Sequence, residues 1–250
     1  DLEDAAFRAV LEIVERDAFM IAWLARRAGR RVVWSRDTNP AVDPDVTTTM
    51  AFLAREGAEV EFYLLEVGIG IPTLMCIGFG DGRRWPGAVV GLGAHLSPRV
   101  AMRRAILEVA QVGPQLRTLA SGGDIAIPCT PGEVRTLLDH ALFYAPAERA
   151  VAFDWLRSTR HAVDVTELAE PTDLSLAECA RRVEAAGVRV AVVDVTSPDV
   201  ALGPFRVVRA LAPGLQPLHI GAGFEHLANP RLKALASGGV VLNSDPHPLC

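Results

Sequence analysis

The sequence predicts one α+β domain, in which layered antiparallel or mixed β-sheets are flanked by helices. Helical and strand-forming stretches alternate along the 250 residues, and 50% of the residues are hydrophobic while 22% are charged, which is typical of a globular chain with ample core. Three strand candidates follow one another between Glu59 and His95, and such a succession favours antiparallel pairing. No stretch is long and polar enough to be a linker, so we interpret residues 1–250 as a single domain.

Helices in the first half of the chain are predicted from apolar stretches that are bounded by capping residues. Asp45 is the N-cap candidate of the second helix, while Ser97 as N-cap and Pro98 at the first helical position begin the third. Gly113-Pro114 is the expected stop or kink of that third helix. The predicted ranges are Leu2 to about Arg27, Asp45 to Arg55, and Pro98 to about Val112.

Strands are predicted from apolar and β-branched runs. Glu59-Val60-Glu61-Phe62 alternates polar and apolar residues, which is typical of a half-buried strand. The segment after Leu211 is loop-like and rich in proline. The predicted strands are Arg31–Ser35, Glu59–Glu66, Ile71–Phe79, Ala88–His95, Val188–Val195 and Phe205–Leu211, and the remaining helices are Glu133–Phe143, Ala147–Leu156 and Ser175–Ala186.

Charge and composition argue against several classes of function. The net charge is -5 and no run of Lys or Arg is present, so we expect no nucleic-acid partner. The longest apolar stretch of the first helix, Ala18 to Ala25, is far too short to span a bilayer, and no signal peptide is present. The four cysteines show no paired spacing, which indicates reduced thiols in a cytoplasmic protein.

A short stretch occurs twice, once in each of two predicted helices. The copies are Arg8-Ala9-Val10-Leu11-Glu12-Ile13-Val14-Glu15 and Arg104-Ala105-Ile106-Leu107-Glu108-Val109-Ala110-Gln111. Positions i, i+4 and i+7 share one helix face, so each copy presents an Arg, a Glu and a Glu or Gln in one polar row. The surrounding residues are mostly hydrophobic, and buried carboxylates require a cation or a donor. A hard cation such as Mg²⁺ satisfies that requirement, and a cation shared by both rows predicts that the two helices face each other.

A simpler interpretation stays open beside the shared site. Ala, Arg, Leu and Glu are common helix formers, so the repeat can arise by chance. Arg8 and Arg16 can each pair with Glu12 at a spacing of four residues, as ordinary salt bridges on a helix surface.

Several familiar sites are absent from the sequence. There is no P-loop and no His-Glu-x-x-His, and Gly91-Leu92-Gly93 lacks the third glycine of a dinucleotide fingerprint. His247 and Cys250 have a ligand-like spacing, but a zinc site needs more ligands nearby. Asp139-His140 is expected to be a solvated or structural pair. Pro246-x-Pro248 is, by default, an extended end without a role.

Five segments together resemble the YcaO family, specifically its azoline-forming branch, in the same order and over essentially the whole chain. The segments are Leu11-Glu12-Ile13-Val14-Glu15-Arg16-Asp17-Ala18, Gly91–Pro98 running into Leu107–Gln111, Asp139–Ala145, Pro213–His219 and Pro246-His247-Pro248. The resemblance implies a YcaO-like α+β fold and an ATP-dependent cyclodehydratase that acts on ribosomally made peptides.

The resemblance also implies roles for individual residues. The Glu-x-x-Glu-Arg and Glu-x-x-Gln helices of the family hold Mg²⁺ and the phosphates of ATP. The corresponding ligands here are Glu12, Glu15 and Glu108 for Mg²⁺, with Arg16, Arg104 and Gln111 added for the nucleotide. A Pro-x-Pro-x-Pro end reaches toward the active site in the azoline branch, so Pro246, His247, Pro248 and Cys250 are expected to take part in catalysis. The two prolines make this end stiff and unable to extend a sheet at their positions, so we predict that it runs along the protein surface into the cleft near Glu12 and Glu108.

The chain departs from the family in three places. Cys250 replaces the last proline, and Arg104 stands where many relatives have Asn. The family segment that contains Ser, Gly and Lys, and that grips ATP, precedes the first Glu helix, whereas this chain begins at that helix. We therefore interpret the sequence as the C-terminal major part of a YcaO domain, and whether the ATP site is complete stays open.

The expected reaction forms thiazoline or oxazoline rings. A Cys, Ser or Thr side chain attacks the preceding amide carbon, ATP phosphorylates the amide oxygen, and phosphate leaves. The tail carboxylate or His247 is the candidate base. The expected partners are a precursor peptide, a leader-binding protein or domain, and a second copy in a homodimer. The alternatives are thioamide or amidine formation and a non-catalytic partner that binds peptide or a sister subunit.

Overall fold

A five-stranded mixed sheet lies at the centre of the structure, a computed structural model that describes residues 1–35, 42–123, 125–236 and 241–249. The strand order is β4-β3-β2-β1-β5, and the neighbours from β4 to β1 are antiparallel, whereas β5 pairs parallel with β1. The strands are β1 (Arg30–Val33), β2 (Glu59–Leu65), β3 (Thr73–Phe79), β4 (Ala88–Ala94) and β5 (Ala162–Asp164). The α+β class and the antiparallel pairing of the three successive strands β2, β3 and β4 are confirmed. β5 has no counterpart among the predicted strands.

A separate two-stranded antiparallel sheet is formed by β6 (Ala191–Asp194) and β7 (Val208–Leu211), inside the two valine-rich ranges expected to be strands. The described helices are α1 (Leu2–Leu24), α2 (Pro44–Glu56), α3 (Pro98–Gly122), α4 (Leu137–Leu142), α5 (Asp154–Arg157), α6 (Leu176–Ala185), α7 (Pro198–Ala201) and α8 (Pro230–Leu235), with 3-10 helices over Pro131–Glu133, Ala147–Phe153 and Val165–Glu167. In the described ranges, no helix combines the length and the hydropathy needed to cross a bilayer.

Both faces of the central sheet are covered. Alternate residues of a strand point to opposite faces. On β2, Tyr63 and Leu65 pack with the apolar residues of α1, while Phe62 and Leu64 pack with those of α2 and α3. The prediction of a half-buried second strand is therefore wrong. Glu61, a polar residue of the alternating stretch, is buried on β2 and pairs with Arg31 and Arg157.

The third helix extends beyond its expected end. Gly113 and Pro114 lie inside α3, which ends at Gly122. A Cβ atom on Gly113 would lie 2.1 Å from the Trp85 ring, so the glycine makes room for a buried indole. The second helix also begins earlier than expected, because the Asp43 side chain, not Asp45, caps it.

Candidate functional site

The open edge of β4 brings the two repeat helices together. β4 is an outer strand of the sheet, so alternate backbone N–H groups on its outer side have no strand partner. Two of these groups donate to carboxylates. Leu92 N donates to Glu108 Oε2 of α3 at 2.6 Å, and Ala94 N donates to Glu15 Oε2 of α1 at 2.7 Å. The repeat thus places one carboxylate from each helix on the same strand edge.

The two carboxylates are close neighbours. Residues two apart on one strand are about 6.6 Å apart along it, which sets the spacing of the two donors. Burial and the nearby Glu108 charge raise the pKa of Glu15 to about 7, and burial also raises the pKa of Glu108. Removal from water and like charge both disfavour the ionised form. The site therefore favours a cation or a proton.

The helices do not pack on each other as the idea of facing helices implies, because α1 and α3 cover opposite faces of the sheet. Two glycines bring α3 close to β4. A Cβ on Gly91 would lie 2.3 Å from the carbonyl oxygen of Ala105, and one on Gly93 would lie 2.1 Å from that of Ala101. The Gly-x-Gly stretch is thus a packing feature that allows Glu108 to reach the strand edge.

The other predicted ligands surround this pair at the surface. Glu12 is exposed and holds Arg16 in a salt bridge of 2.6 Å, while Gln111 is exposed one turn beyond Glu108. The Arg104 guanidinium donates to the carbonyl oxygen of Ala94 at 3.2 Å. The expected pairing of Arg16 with Glu12 is confirmed, but Arg8 pairs with Asp4 instead of Glu12. The salt-bridge interpretation thus accounts for Glu12 and leaves Glu15 and Glu108 without a cation in contact among the described residues.

The carboxylates of this site suit a Mg²⁺ ion that takes only some of its ligands from the protein. Within the described ranges, no three side chains from His, Cys, Asp and Glu form a group that could hold a metal ion by themselves. Mg²⁺ commonly takes one or two carboxylates and completes its octahedron with water and phosphate oxygens. Glu15 and Glu108 supply such a pair, and burial raises the pKa of both carboxyl groups, which a bound cation would offset.

The C-terminal segment is buried. We expected it to run along the surface into the cleft near Glu12 and Glu108, but residues 246–249 are all buried. The surface path is wrong because the chain passes beneath α1. Trp23 Nε1 donates to the carbonyl oxygen of Asp245 at 3.0 Å, and the Tyr144 hydroxyl donates to that of Pro246. Cys250 lies outside the described residues.

His247 does not fit the role of a base. Its Nδ1 accepts from Leu249 N at 3.3 Å, so Nε2 carries the hydrogen and donates to the carbonyl oxygen of His219 at 2.7 Å. Burial, the neighbouring His140 and, among further charges, Arg16 lower the pKa of His247 to about 3. Both ring nitrogens are therefore engaged in a neutral, buried imidazole. Pro246 and Pro248 contribute no N–H donor.

Three buried residues with structural importance near this site were not predicted. Asp17 lies directly after Arg16, is fully buried, and pairs with Arg231 of α8 at 3.0 Å. It also accepts from Gln216 N at 2.8 Å, which ties the loop before α8 to α1. The signal for Asp17 was a lone carboxylate at the start of an apolar stretch. Trp23 and Tyr144 gave no such signal, since their partners lie more than 100 positions away.

Comparison with known proteins identifies the family of this chain. The family model described as YcaO cyclodehydratase, ATP- and Mg²⁺-binding, matches residues 1–216. The chain belongs to the YcaO family. An uncharacterized protein from Methanothermobacter thermautotrophicus is 30% identical over 110 residues, which cover 44% of this YcaO chain and 28% of that protein.

Solved structures confirm the fold. A heterocyclase in complex with substrate and cofactor matches all of this YcaO chain at a TM-score of 0.73 and 20% identity. YcaO from Methanopyrus kandleri, bound with AMPPCP and Mg²⁺, matches 84% of it at a TM-score of 0.61 and 23% identity. The chain spans 32% of the heterocyclase and 51% of the Methanopyrus protein, and therefore only part of the length of these relatives.

Proposed function

We propose that this chain carries the ATP- and Mg²⁺-binding helices of a cyclodehydratase that converts Cys, Ser or Thr residues of a ribosomally made peptide into azolines. The observation that carries the proposal is the pair Glu15 and Glu108, which backbone donors fix on one strand edge, with the pKa of Glu15 raised by burial and by the Glu108 charge. Membership in a family described as ATP- and Mg²⁺-binding supports it.

The chain's residues would divide the work as follows. Glu15 and Glu108 would hold Mg²⁺, with Glu12 at the exposed margin of the site. Arg16, Arg104 and Gln111 would orient phosphate oxygens, a task for donors that lie around a partly buried centre. ATP and Mg²⁺, when bound, supply the phosphoryl group that makes the amide oxygen a leaving group. The backbone donors of β4 keep both carboxylates in place, so the site needs little rearrangement.

The proposed partners follow from the same assignment. A precursor peptide is the substrate, a leader-binding protein or domain presents it, and the enzyme works as a homodimer. The similarity to a heterocyclase solved with its substrate supports the proposal that a precursor peptide is the substrate.

A calorimetric titration with AMPPCP and Mg²⁺ tests the proposal. We expect saturable binding that requires Mg²⁺ and that disappears in the Glu108→Gln variant. The Glu66→Gln variant is the control, because it also removes one carboxylate charge, but Glu66 is outside both repeat helices in the sequence and pairs with Arg30 at 2.8 Å. Absence of binding by the folded wild type would favour the alternative of a non-catalytic binding partner.

A further inference from the structure

Three consecutive carbonyl groups near the C-terminus accept hydrogen bonds from three different side chains. Trp23 Nε1 donates to Asp245, the Tyr144 hydroxyl donates to Pro246, and His140 Nδ1 lies 2.9 Å from the carbonyl oxygen of His247. The direction of the last bond is fixed, because His140 Nε2 accepts from Gly221 N at 3.0 Å and Nδ1 therefore carries the hydrogen. Side chains thus replace the backbone partners that a strand would have.

The prolines explain this arrangement. Pro246 and Pro248 have no N–H group, so the segment cannot pair as a regular strand. Its buried carbonyl groups still require donors. We call residues 245–249 the tail segment.

The three donors are held in place by packing against neighbouring rings. Trp23 lies in the last turn of α1, and its ring meets that of Tyr144 edge to face at 5.9 Å. His140 lies on α4 and stacks on the His247 ring, with centroids 3.8 Å apart and planes at 9°. Trp23, Tyr144 and His140 are all buried. Such packing leaves the donors few alternative positions.

The same helix connects the tail segment to the carboxylate pair. Trp23 lies two helical turns after Arg16 on α1, and Arg16 follows Glu15 directly. Any displacement of the tail segment relative to α1 is therefore a displacement relative to the proposed ATP site. The chain is tied at the start of this path as well, where Asn243 N donates to the carbonyl oxygen of Leu24 at 2.7 Å.

We propose that Trp23, His140 and Tyr144 form a clamp that fixes the tail segment against α1 and so positions it for ring formation. They are positioning residues that act through the tail, and the inference rests on the proposed function. The clamp does not depend on the proposed reaction, because the three hydrogen bonds hold the tail segment whether or not a peptide reacts.

The Tyr144→Phe variant tests the clamp with little change in packing. Loss of the hydroxyl leaves the buried Pro246 carbonyl without its donor, so hydrogen exchange at Leu249 N–H should accelerate about tenfold. Tyr63→Phe is the matched control, because Tyr63 is the other tyrosine in the sequence, is equally buried, and donates to Glu61 on β2 instead. Unchanged exchange in Tyr144→Phe would overturn the clamp.

Ring formation tests the positioning role separately. With a synthetic Cys-containing peptide as probe, Tyr144→Phe should lower kcat about tenfold while the affinity for AMPPCP and Mg²⁺ stays at the wild-type value. Faster exchange at the tail with unchanged kcat would overturn positioning. A wild-type protein that forms no rings would instead contradict the proposed function, and the exchange measurement would still decide the clamp.

Substitutions of His140 provide the rescue experiment. His140→Asn places an amide N–H near the position of Nδ1 and should keep most of the tail protection and of kcat. His140→Leu has no donor and should lose both, with AMPPCP affinity unchanged. Equal loss in the two variants would mean that ring stacking, and not the hydrogen bond, holds the tail segment.

Discussion

Glu15 and Glu108 lie 93 positions apart on helices that cover opposite faces of one sheet, yet both accept hydrogen bonds from a single edge strand, at residues two positions apart. The unpaired backbone groups of such a strand edge can ordinarily pair with another strand. Here two carboxylates occupy this edge. The edge therefore serves as the frame that sets the distance between two like charges.

The first prediction concerns the charge of Glu108. Glu108→Gln keeps an oxygen that can accept from Leu92 N and removes one negative charge beside Glu15. ATP consumption should fall about 100-fold or more, the size of effect that follows loss of one charge-stabilising group. Phosphate release measures the rate, and thermal unfolding checks that the fold is intact.

Two outcomes would contradict this assignment. Normal ATP consumption would remove Glu108 from the site. An unfolded variant would support the interpretation that the helix carboxylates are structural, because only then does the charge itself contribute to stability.

The second prediction concerns the close contact of α3 with β4. In Gly93→Ala, the added Cβ atom would lie 2.1 Å from the carbonyl oxygen of Ala101, so α3 must move away from β4. The free energy of unfolding in urea should fall by about 2 kcal/mol or more, because overpacking forces backbone shifts. Gly122→Ala is the control, since no atom lies within 4 Å of its added Cβ. Equal stability of the two variants would show that α3 is not held by this contact.

The third prediction concerns acid. The pKa of His247 is lowered to about 3 from an ordinary value of 6.5. Below pH 6.5, His247 is therefore protonated in the unfolded chain but stays neutral in the folded protein. Stability should therefore fall as the pH falls from 6.5 toward 3, by about 2 kcal/mol between pH 7 and pH 5 from this residue. The pKa values of His140 and His219 are lowered in the same direction.

Urea unfolding of the wild type and of His247→Gln at several pH values isolates this contribution. The two proteins are compared by the slope of the free energy of unfolding against pH. Glu15, whose pKa is raised, stabilises the folded state as the pH falls, but it does so in both proteins and cancels in the difference. Parallel curves for the wild type and the variant would mean that His247 is protonated equally in the folded and unfolded states.

The fourth prediction concerns the buried pair of Asp17 and Arg231. Arg231→Met removes the cation and leaves a fully buried carboxylate without a partner charge, so the free energy of unfolding should fall by about 3–5 kcal/mol. Adding Asp17→Asn should recover part of this loss, because the amide oxygen still accepts from Gln216 N. A double variant that is less stable than the sum of the two single losses would contradict a direct pairing.

The sequence was sufficient for features set by local spacing. The helix period placed Glu15 and Glu108 in polar rows, and Ser97 was correctly predicted to cap α3. It was insufficient where distant residues decide. Trp85 makes Gly113 a helix residue and not a stop, and the pairing of Glu61 with Arg31 and Arg157 buries a residue whose alternation indicates exposure.

The tail segment illustrates the same limit more strongly. Pro246 and Pro248 correctly indicated a segment that joins no sheet, and residues 245–249 belong to no strand. Its burial depends on donors at Trp23, His140 and Tyr144, which no local rule connects with it. Residue types alone therefore predicted that the segment joins no sheet, but not that it is buried or what surrounds it.

The bond between Trp23 and Asp245 joins positions 222 residues apart, which bears on how the protein folds. Contacts of such sequence separation form late, because closing a long loop costs chain entropy before the contact stabilises it. The Trp23 Nε1 group that meets Asp245 therefore remains open to water until the end of the chain is in place. During refolding, an intermediate with a formed sheet and an unprotected α1 C-terminal turn should accumulate, and that turn is the surface through which the unfinished chain would aggregate.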